Sequence, residues 1–156
     1  MRVGITGHRG LPEDVAAKVR ELLLKEAGSY DDLVGVSCLA DGPDTWWAQA
    51  VLEAGGRLEV VVPAAGYRSA LPDWHHPAYD SLVERADVVR HTGLSEPAPE
   101  AFQAGSELLV RVSDLLIAVW DGLPARGYGG TADAVDYAHQ VDVPVRVLWP
   151  EGASRG

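Results

Sequence analysis

The sequence predicts an α/β protein with a Rossmann-like, doubly wound parallel sheet of about five strands and helices on both faces. Short apolar runs of strand length alternate with segments of helical periodicity, a pattern typical of parallel strands joined by crossover helices. Two glycine-rich turns, at residues 4–10 and 127–131, each follow an apolar run and precede a helical segment. With 156 residues, 47% of them hydrophobic, the chain is long enough for one ordinary core, and we assign residues 1–150 to a single domain.

The first elements follow from local signals. Residues 2–6 are an apolar run that predicts a strand. Residues 12–27 predict a helix, because its opening proline and two acidic residues suit a first turn at the positive end of the helix dipole. Gly28 ends this helix. The same reasoning predicts a second strand at residues 33–38 and a second helix at residues 45–54.

The later elements continue the alternation. Residues 58–62 predict a third strand, and the segment 64–77, rich in proline, glycine and aromatic residues, predicts a loop over the sheet edge. Helices are predicted at residues 79–90 and 99–112, and a fourth strand at residues 115–120. The remaining predicted elements are a loop at 121–130, a helix at 131–140, a strand at 143–149 and a fraying tail at 151–156.

The order of the predicted strands indicates where a ligand would bind. In the usual order 3-2-1-4-5, strands one and four are neighbours, and the helices that follow them pack on opposite faces of the sheet. Ligands bind at this switch point, beyond the carboxyl ends of the strands. Both glycine-rich turns follow these two strands, so we expect them to converge on one site.

The first turn contains Gly7, His8, Arg9 and Gly10. Uncrowded backbone N–H groups at a helix N-terminus bind anions, and a guanidinium such as that of Arg9 can hold a phosphate through two hydrogen bonds. The turn matches neither the G-x-G-x-x-G fingerprint nor a Walker loop. Two alternatives stay open: the glycines could serve a tight strand-to-helix turn alone, and His8 could bond either a ligand or the local backbone.

The second turn contains Arg126, Gly129, Gly130 and Thr131. We predict phosphate binding by its glycines and threonine, with Arg126 closing over the ligand. Helix capping by Thr131 is the alternative explanation for the threonine.

Acidic residues also follow the predicted strands. We expect Asp41 or Asp121 to accept hydrogen bonds from ribose hydroxyls, as an acidic residue does in other doubly wound folds. Turn formation is the alternative for both residues. Asp44 is interpreted as the N-cap of the second helix.

Composition excludes several classes of function. The net charge of −10 and the scattering of the 13 basic residues predict that the chain has no nucleic-acid partner. No apolar run approaches the ~20 residues of a membrane span, and no signal peptide is recognised, so we expect a cytoplasmic protein without a membrane partner. Cys38 is the single cysteine, which excludes an internal disulfide. His75 and His76 lack a second cluster at metal-ligand spacing, so neither a metal site nor a further cofactor is expected.

With these motifs in place, the chain resembles the SLOG superfamily, which unites the DNA-processing protein DprA/Smf with the Lonely Guy proteins. The similarity extends from Gly4 to about Trp149. The segments that carry it are Ile5-Thr6-Gly7-His8-Arg9, residues 37–44, Val112-Ser113-Asp114, Trp120-Asp121-Gly122 and Gly129-Gly130-Thr131. Residues 37–44 are similar to the superfamily stretch S-G-L-A-x-G-x-D, with Cys38 in place of the glycine.

The resemblance implies a stand-alone bacterial member that binds nucleotides or nucleotide-derived ligands, often as a homodimer. Its Lonely Guy branch hydrolyses the N-glycosidic bond of nucleoside monophosphates with a glutamate and an Arg-Lys pair. In this chain the glutamate position falls on Ala134, and the pair falls on Gly105 and Ser106.

Two hypotheses of function follow. The first is binding of a nucleotide or a nucleotide-derived phosphorylated ligand, in a sensing role. The alternative is a hydrolase or transferase that acts at the N-glycosidic bond of nucleoside monophosphates, with Asp121 or Asp133 as the carboxylate that stabilises positive charge on the sugar.

Overall fold

The computed structural model describes residues 1–124 and 130–156. Within them, parallel strands form one sheet in the order β4-β3-β2-β1-β5-β6. The strands are β1 (Arg2–Gly7), β2 (Val34–Ser37), β3 (Arg57–Val62), β4 (Val88–His91), β5 (Leu115–Val119) and β6 (Val145–Val147). The predicted order of five strands is confirmed, and β4 adds a sixth strand at the edge next to β3.

Helices cover both faces of this sheet. They are α1 (Glu13–Ala27), α2 (Pro43–Glu53), α3 (Tyr67–Ala70), α4 (His76–Glu84), α5 (Pro99–Val112) and α6 (Thr131–Gln140), with a 3₁₀ turn at Asp73–His75. Helix α1 packs against α2, and α5 packs against α6. No helix in the described parts of the chain is long and apolar enough to cross a membrane.

The core is divided by the sheet, because successive side chains of a strand point to opposite faces. On one face, Val3 and Ile5 of β1 pack with buried residues of α1 and α2. On the other face, Val36 of β2 and Leu116 of β5 pack with Leu109 of α5. The first, second and fifth strands are therefore buried on both sides, as their apolar sequences predict.

The prediction of one long helix at residues 79–90 is wrong, since α4 ends at Glu84 and residues 88–91 form β4. Two contacts redirect the chain: the Asp87 N–H donates to Leu58 O at 2.8 Å, and the Leu58 N–H donates to the Asp87 carboxylate at 3.3 Å. The β-branched pair Val88 and Val89 then pairs with β3. These bonds link residues 29 positions apart, so the local periodicity of the sequence cannot predict them.

The other differences are smaller. The predicted loop at 64–77 contains α3 and the 3₁₀ turn, and the last strand is shorter than its predicted span of 143–149. Helix α2 begins at Pro43, two residues earlier than predicted, with Gly42 as its N-cap. This shift changes the position of Asp44 relative to the helix.

Candidate ligand-binding site

A cavity of about 520 Å³ lies where the carboxyl ends of β1, β2 and β3 meet the start of α6. Polar residues and glycines after β1 and at the start of α6 form one part of its wall. Apolar residues after β3 and from α5 form another part. The first group is Gly7, His8, Arg9, Gly130 and Thr131, and the second is Pro63, Tyr67, Ala70, Leu71, Phe102 and Leu109. The two predicted turns are thus brought to one cavity through their described residues.

Gly7 has a packing role in the first turn. A Cβ atom on Gly7 would lie 2.7 Å from Pro43 Cβ and 3.0 Å from Val119 Cβ, so the backbone here passes too close to α2 and β5 for a side chain. Gly10 has a φ of +65° and open space around it, and it does not line the cavity. Close packing accounts for Gly7, which also lines the cavity, and a positive φ accounts for Gly10.

His8 is buried in a cluster of protein contacts. Its Nε2 lies 3.2 Å from Asp121 Oδ1, and its Nδ1 lies 3.2 Å from Arg155 Nη1. A guanidinium can only donate, so Arg155 donates to the ring, and the Asp121 backbone N–H also lies 3.3 Å from Nε2. The ring also meets Trp149 edge to face, at 5.8 Å between centroids. Local contacts therefore orient the imidazole, which also lines the cavity.

Asp121 supports this cluster and does not itself line the cavity. Burial raises the pKa of its carboxyl, but the Leu123 N–H, His8 and Arg155 outweigh burial and hold the pKa below its ordinary value. Asp121 is thus an ionised anchor for His8 and Arg155. It lies beside the cavity, in contact with His8 and Arg155 rather than open to the cavity.

Arg155 is a site residue that the sequence analysis missed. Residues 151–156 were expected to fray, yet the Arg155 side chain is 8% exposed and lines the cavity. Its Nη2 donates to Pro124 O at 2.9 Å, and its Nε lies 2.9 Å from Asp121 Oδ2. The Trp149 indole N–H donates to Ala153 O at 3.1 Å and folds the segment back. No local sequence pattern around this single arginine, which lies beyond the last strand, predicts that its side chain is buried at the cavity.

Arg9 and Asp41 form an ion pair at the cavity. Arg9 Nη2 donates to Asp41 Oδ1 at 2.5 Å, and the Arg9 side chain is half exposed. Arg9 lines the cavity, whereas Asp41 does not. Asp41 accepts from one nitrogen of the Arg9 guanidinium, and the other N–H groups can donate to an anion.

Asp44, which was interpreted as an N-cap, instead lies in the first turn of α2 and lines the cavity. Burial raises the pKa of its carboxyl to about 7, although the Ala40 N–H and the charge of Arg9 act in the opposite direction. Among the described side chains, none forms an ion pair with it. The sequence analysis noted the acidic residue here, but a two-residue error in the helix start assigned it the role of N-cap.

Buried hydrogen bonds fix the loop that carries Asp44. Leu39 is fully buried at a φ of +60°, and its N–H donates to Ser37 Oγ at 3.0 Å. Ser37 Oγ in turn donates to Asp44 O at 2.8 Å. His75 Nε2 donates to Leu39 O at 2.9 Å, and Thr45 Oγ1 donates to Ala40 O at 2.7 Å. The backbone around Asp44 is therefore held by side chains from two other elements.

His75 and His76 both serve the backbone, since His76 Nε2 bonds Arg68 O at 2.7 Å. In residues 1–124 and 130–156, no group of three His, Cys, Asp or Glu side chains is arranged to hold a metal ion.

Helix α6 begins at the cavity. Gly130 rather than Thr131 occupies the N-cap, and no described side chain caps this end. Thr131 is buried and lines the cavity, and so does Ala134, the position of the Lonely Guy glutamate. Asp133 does not line it. The predicted residues Arg126 and Gly129 lie outside the described part of the chain.

Solved structures share the fold of this chain. DNA processing protein A (DprA) of Helicobacter pylori is 18% identical with a TM-score of 0.74, over 99% of this chain and 68% of that one. DprA of Streptococcus pneumoniae is 19% identical with a TM-score of 0.69, over 97% of this chain and 51% of that one. The molybdenum cofactor carrier protein of Chlamydomonas reinhardtii is 22% identical with a TM-score of 0.59, over 94% and 75%.

No protein-family model and no curated protein matches the sequence. The resemblance to the SLOG superfamily is confirmed as a resemblance of fold, because its DprA branch is among the structures that match. The chain spans about half the length of the S. pneumoniae protein.

The prediction of no nucleic-acid partner is wrong. The H. pylori structure, which matches this chain over 99% of its length, concerns the single-stranded DNA binding mode of that protein. Net charge describes the whole surface, whereas affinity for nucleic acid depends on where basic groups converge. A formal charge of −10 therefore excludes no partner of this class.

Proposed function

We propose that this protein binds a nucleotide or a nucleotide-derived phosphorylated ligand in the cavity at the carboxyl ends of its strands. The observation that carries the proposal is the chemical division of the cavity wall. Arg9, Gly130 and Thr131 lie in its polar part, and Tyr67 and Phe102 lie in its apolar part. A ligand with an anionic end and a flat apolar end matches both parts.

Electrostatics supports an anion at the polar part. The first N–H groups of α6 have no acceptor within the helix, and they carry the positive end of its dipole. Arg9 adds a guanidinium that is half exposed and so accessible to a ligand. Two sources of positive potential at one cavity favour a phosphate over a neutral group.

The apolar part suits a planar ring. Tyr67 and Phe102 pack edge to face, at 6.1 Å between centroids, and Tyr67 is buried. Aromatic edges and faces bind a planar base through dispersion and quadrupole interactions. Leu71 and Pro63 add apolar surface to the same region.

The cavity favours binding over cleavage of the glycosidic bond. Ala134 lines it where a catalytic glutamate would be needed, and Asp133 does not. Asp121 is engaged by His8, Arg155 and the Leu123 N–H. Neither carboxylate proposed for the hydrolase therefore faces the ligand.

Calorimetric titration of the protein with nucleoside 5′-monophosphates and the corresponding nucleosides tests the proposal. We expect the phosphorylated form of one base class to bind more tightly than its nucleoside. Arg9→Ala should weaken the phosphorylated ligand by about tenfold, the lower range for a charge-assisted hydrogen bond, and should leave the nucleoside unchanged.

The matched control is Arg57→Ala, which removes an exposed arginine at the opposite end of β3. Each mixture is also assayed for free base. Equal affinity for nucleotide and nucleoside would show that the protein does not recognise the phosphate. Release of free base would show that the protein is an enzyme that cleaves the glycosidic bond.

A further inference from the structure

The Asp44 carboxyl is the acidic group of the cavity wall that has no cation of its own. Its nearest opposite charge, Arg9, is held by Asp41 at 2.5 Å. A carboxyl that is partly buried without an ion pair costs stability, so its retention on a cavity wall calls for an explanation. A place at the positive end of α2 accounts for an acid in the first turn, but not for its lining of a cavity.

The strand order gives Asp44 a defined place relative to the two parts of the cavity. The phosphate-binding groups follow β5 and β1, Asp44 follows β2, and the aromatic residues Tyr67 and Phe102 lie beyond β3 or pack on it. Neighbouring strands are about 4.8 Å apart. Asp44 therefore lies one strand from Arg9, two strands from the start of α6 and one strand from the aromatic groups.

The parts of a ribonucleotide follow one another in the same order, with the sugar between phosphate and base. We propose that the ligand of this site is a ribonucleotide that lies across the strand ends, with Asp44 accepting hydrogen bonds from its ribose hydroxyls. The inference rests on the proposed function and makes it more specific. It transfers to Asp44 the role that the sequence suggested for Asp41 or Asp121.

The contacts of the three carboxylates favour this assignment. Asp41 and Asp121 are both in ion pairs with arginines and do not line the cavity. Asp44 lines it, its backbone O accepts from Ser37 Oγ, and Thr45 Oγ1 holds the preceding loop at Ala40 O. A preorganised acceptor with free lone pairs is the arrangement that binds a diol with little loss of entropy.

Pairs of ligands that differ by one oxygen test the inference. Ribonucleoside 5′-monophosphates and their 2′-deoxy counterparts are titrated against the wild type, Asp44→Asn and Asp44→Ala at about pH 8, where the carboxyl is ionised. We expect the wild type to prefer the ribo form by at least about tenfold, as a hydrogen bond to a charged group predicts. Asp44→Ala should abolish this preference by weakening the ribo form alone.

Asp44→Asn keeps the size and one acceptor oxygen, so it should retain part of the preference. It also serves as the folded variant if the alanine variant does not fold. Asp31→Asn removes an exposed acidic residue before β2 and should retain the full preference. The Arg9→Ala variant should lose affinity for both members of a pair equally.

Two results would overturn the inference while leaving the proposed function intact. One is equal affinity of the wild type for ribo and deoxy forms. The other is an equal loss for both forms in the Asp44 variants. Failure of every nucleotide to bind would instead overturn the proposed function, and the inference with it.

Discussion

At the scale of single residues, Asp44 shows how a fold can change the chemistry of an ordinary carboxyl. Burial in the cavity wall raises its pKa from 3.8 to about 7, and the neighbouring Asp41 acts in the same direction. Arg9 and the Ala40 N–H oppose the shift without cancelling it. The carboxyl therefore changes its charge near neutral pH, which makes its contribution to stability depend on pH.

The sign of that contribution follows from proton linkage. Between about pH 4 and pH 7 the folded protein holds a proton on Asp44 that the unfolded chain has lost, so the free energy of unfolding falls as the pH rises through this range. Asp44→Asn removes the titration and keeps the shape. We expect the melting temperature of the variant, relative to the wild type, to increase from about pH 4 to about pH 8.

Thermal melts across this range measure the effect, and Asp31→Asn is the matched control because its side chain is exposed. A difference between Asp44→Asn and wild type that stays constant with pH would contradict the assignment of the raised pKa to Asp44.

At the scale of elements, β4 is attached through a buried carboxylate. Glu59 of β3 is 5% exposed and accepts from Arg2 Nε at 3.1 Å and from Arg90 Nη2 at 2.9 Å. Burial raises the pKa of Glu59, but the bonds from Arg2 and Arg90 outweigh it and hold the pKa below 4.5. One side chain thus ties β3 to the edge strand on one side and to β1 across β2.

Glu59→Gln should lower the free energy of unfolding by about 1–3 kcal/mol, because it leaves two arginines facing a neutral amide. The loss should be full above the ordinary pKa of glutamate and should shrink as the pH falls through the lower native pKa. Denaturant melts at several pH values measure it. The control is Glu13→Gln, which breaks an exposed pair with Arg20 and should have little effect.

Helix α5 meets the loop after β3 through a glycine. A Cβ atom on Gly105 would lie 2.7 Å from Pro63 Cγ and 3.2 Å from Pro63 Cα. A side chain of any size at this position would require α5 to move. The sequence resemblance puts the arginine of the Lonely Guy pair at Gly105, so packing as well as chemistry separates this chain from that pattern.

Gly105→Ala should therefore destabilise the protein by about 1–3 kcal/mol, the usual cost of overpacking. Gly28→Ala is the matched control, since a Cβ there has its nearest neighbour at 3.7 Å and its φ is −70°. We expect that variant to be neutral or slightly stabilised. Equal stability of the two variants would contradict the close approach of α5 to Pro63.

At the scale of the whole molecule, burial decreases from the centre of the sheet to its edges. Strands β2 and β5 are buried along most of their length, whereas β4 and β6 expose most of their residues. Local openings occur where few apolar contacts must be broken. We expect amide hydrogens of β1, β2 and β5 to exchange with solvent most slowly and those of β4 and β6 most quickly.

Hydrogen exchange measured by mass spectrometry checks this order. If the amides of β4 exchanged as slowly as those of β1, either the Glu59 network or a partner would protect the edge strand. Repeating the measurement on Glu59→Gln separates these two explanations.

The sequence predicts the strands and the positions of the two turns because both are encoded locally, in apolar runs and in the glycines that follow them. The strand order, and with it the convergence of the turns, follows from the usual order of doubly wound sheets. It misses β4, whose direction is set by the bond between Asp87 and Leu58, and it misses Arg155, whose place is set by Asp121. It misassigns Asp44 because a helix start is uncertain by about two residues from local signals. The sequence analysis is also wrong on nucleic-acid partners. It used the total charge of the chain, which does not show where basic side chains lie in the folded protein.

The cluster around His8 also has a consequence for the synthesis of this protein. His8 meets Asp121, 113 residues later, and Arg155, 147 residues later. A nascent chain on the ribosome can contain β1, β2 and β3 while Thr131, Ala134 and Arg155 of the cavity wall are still untranslated. The wall of the cavity is therefore complete only after Arg155 has been translated and has met His8 and Asp121.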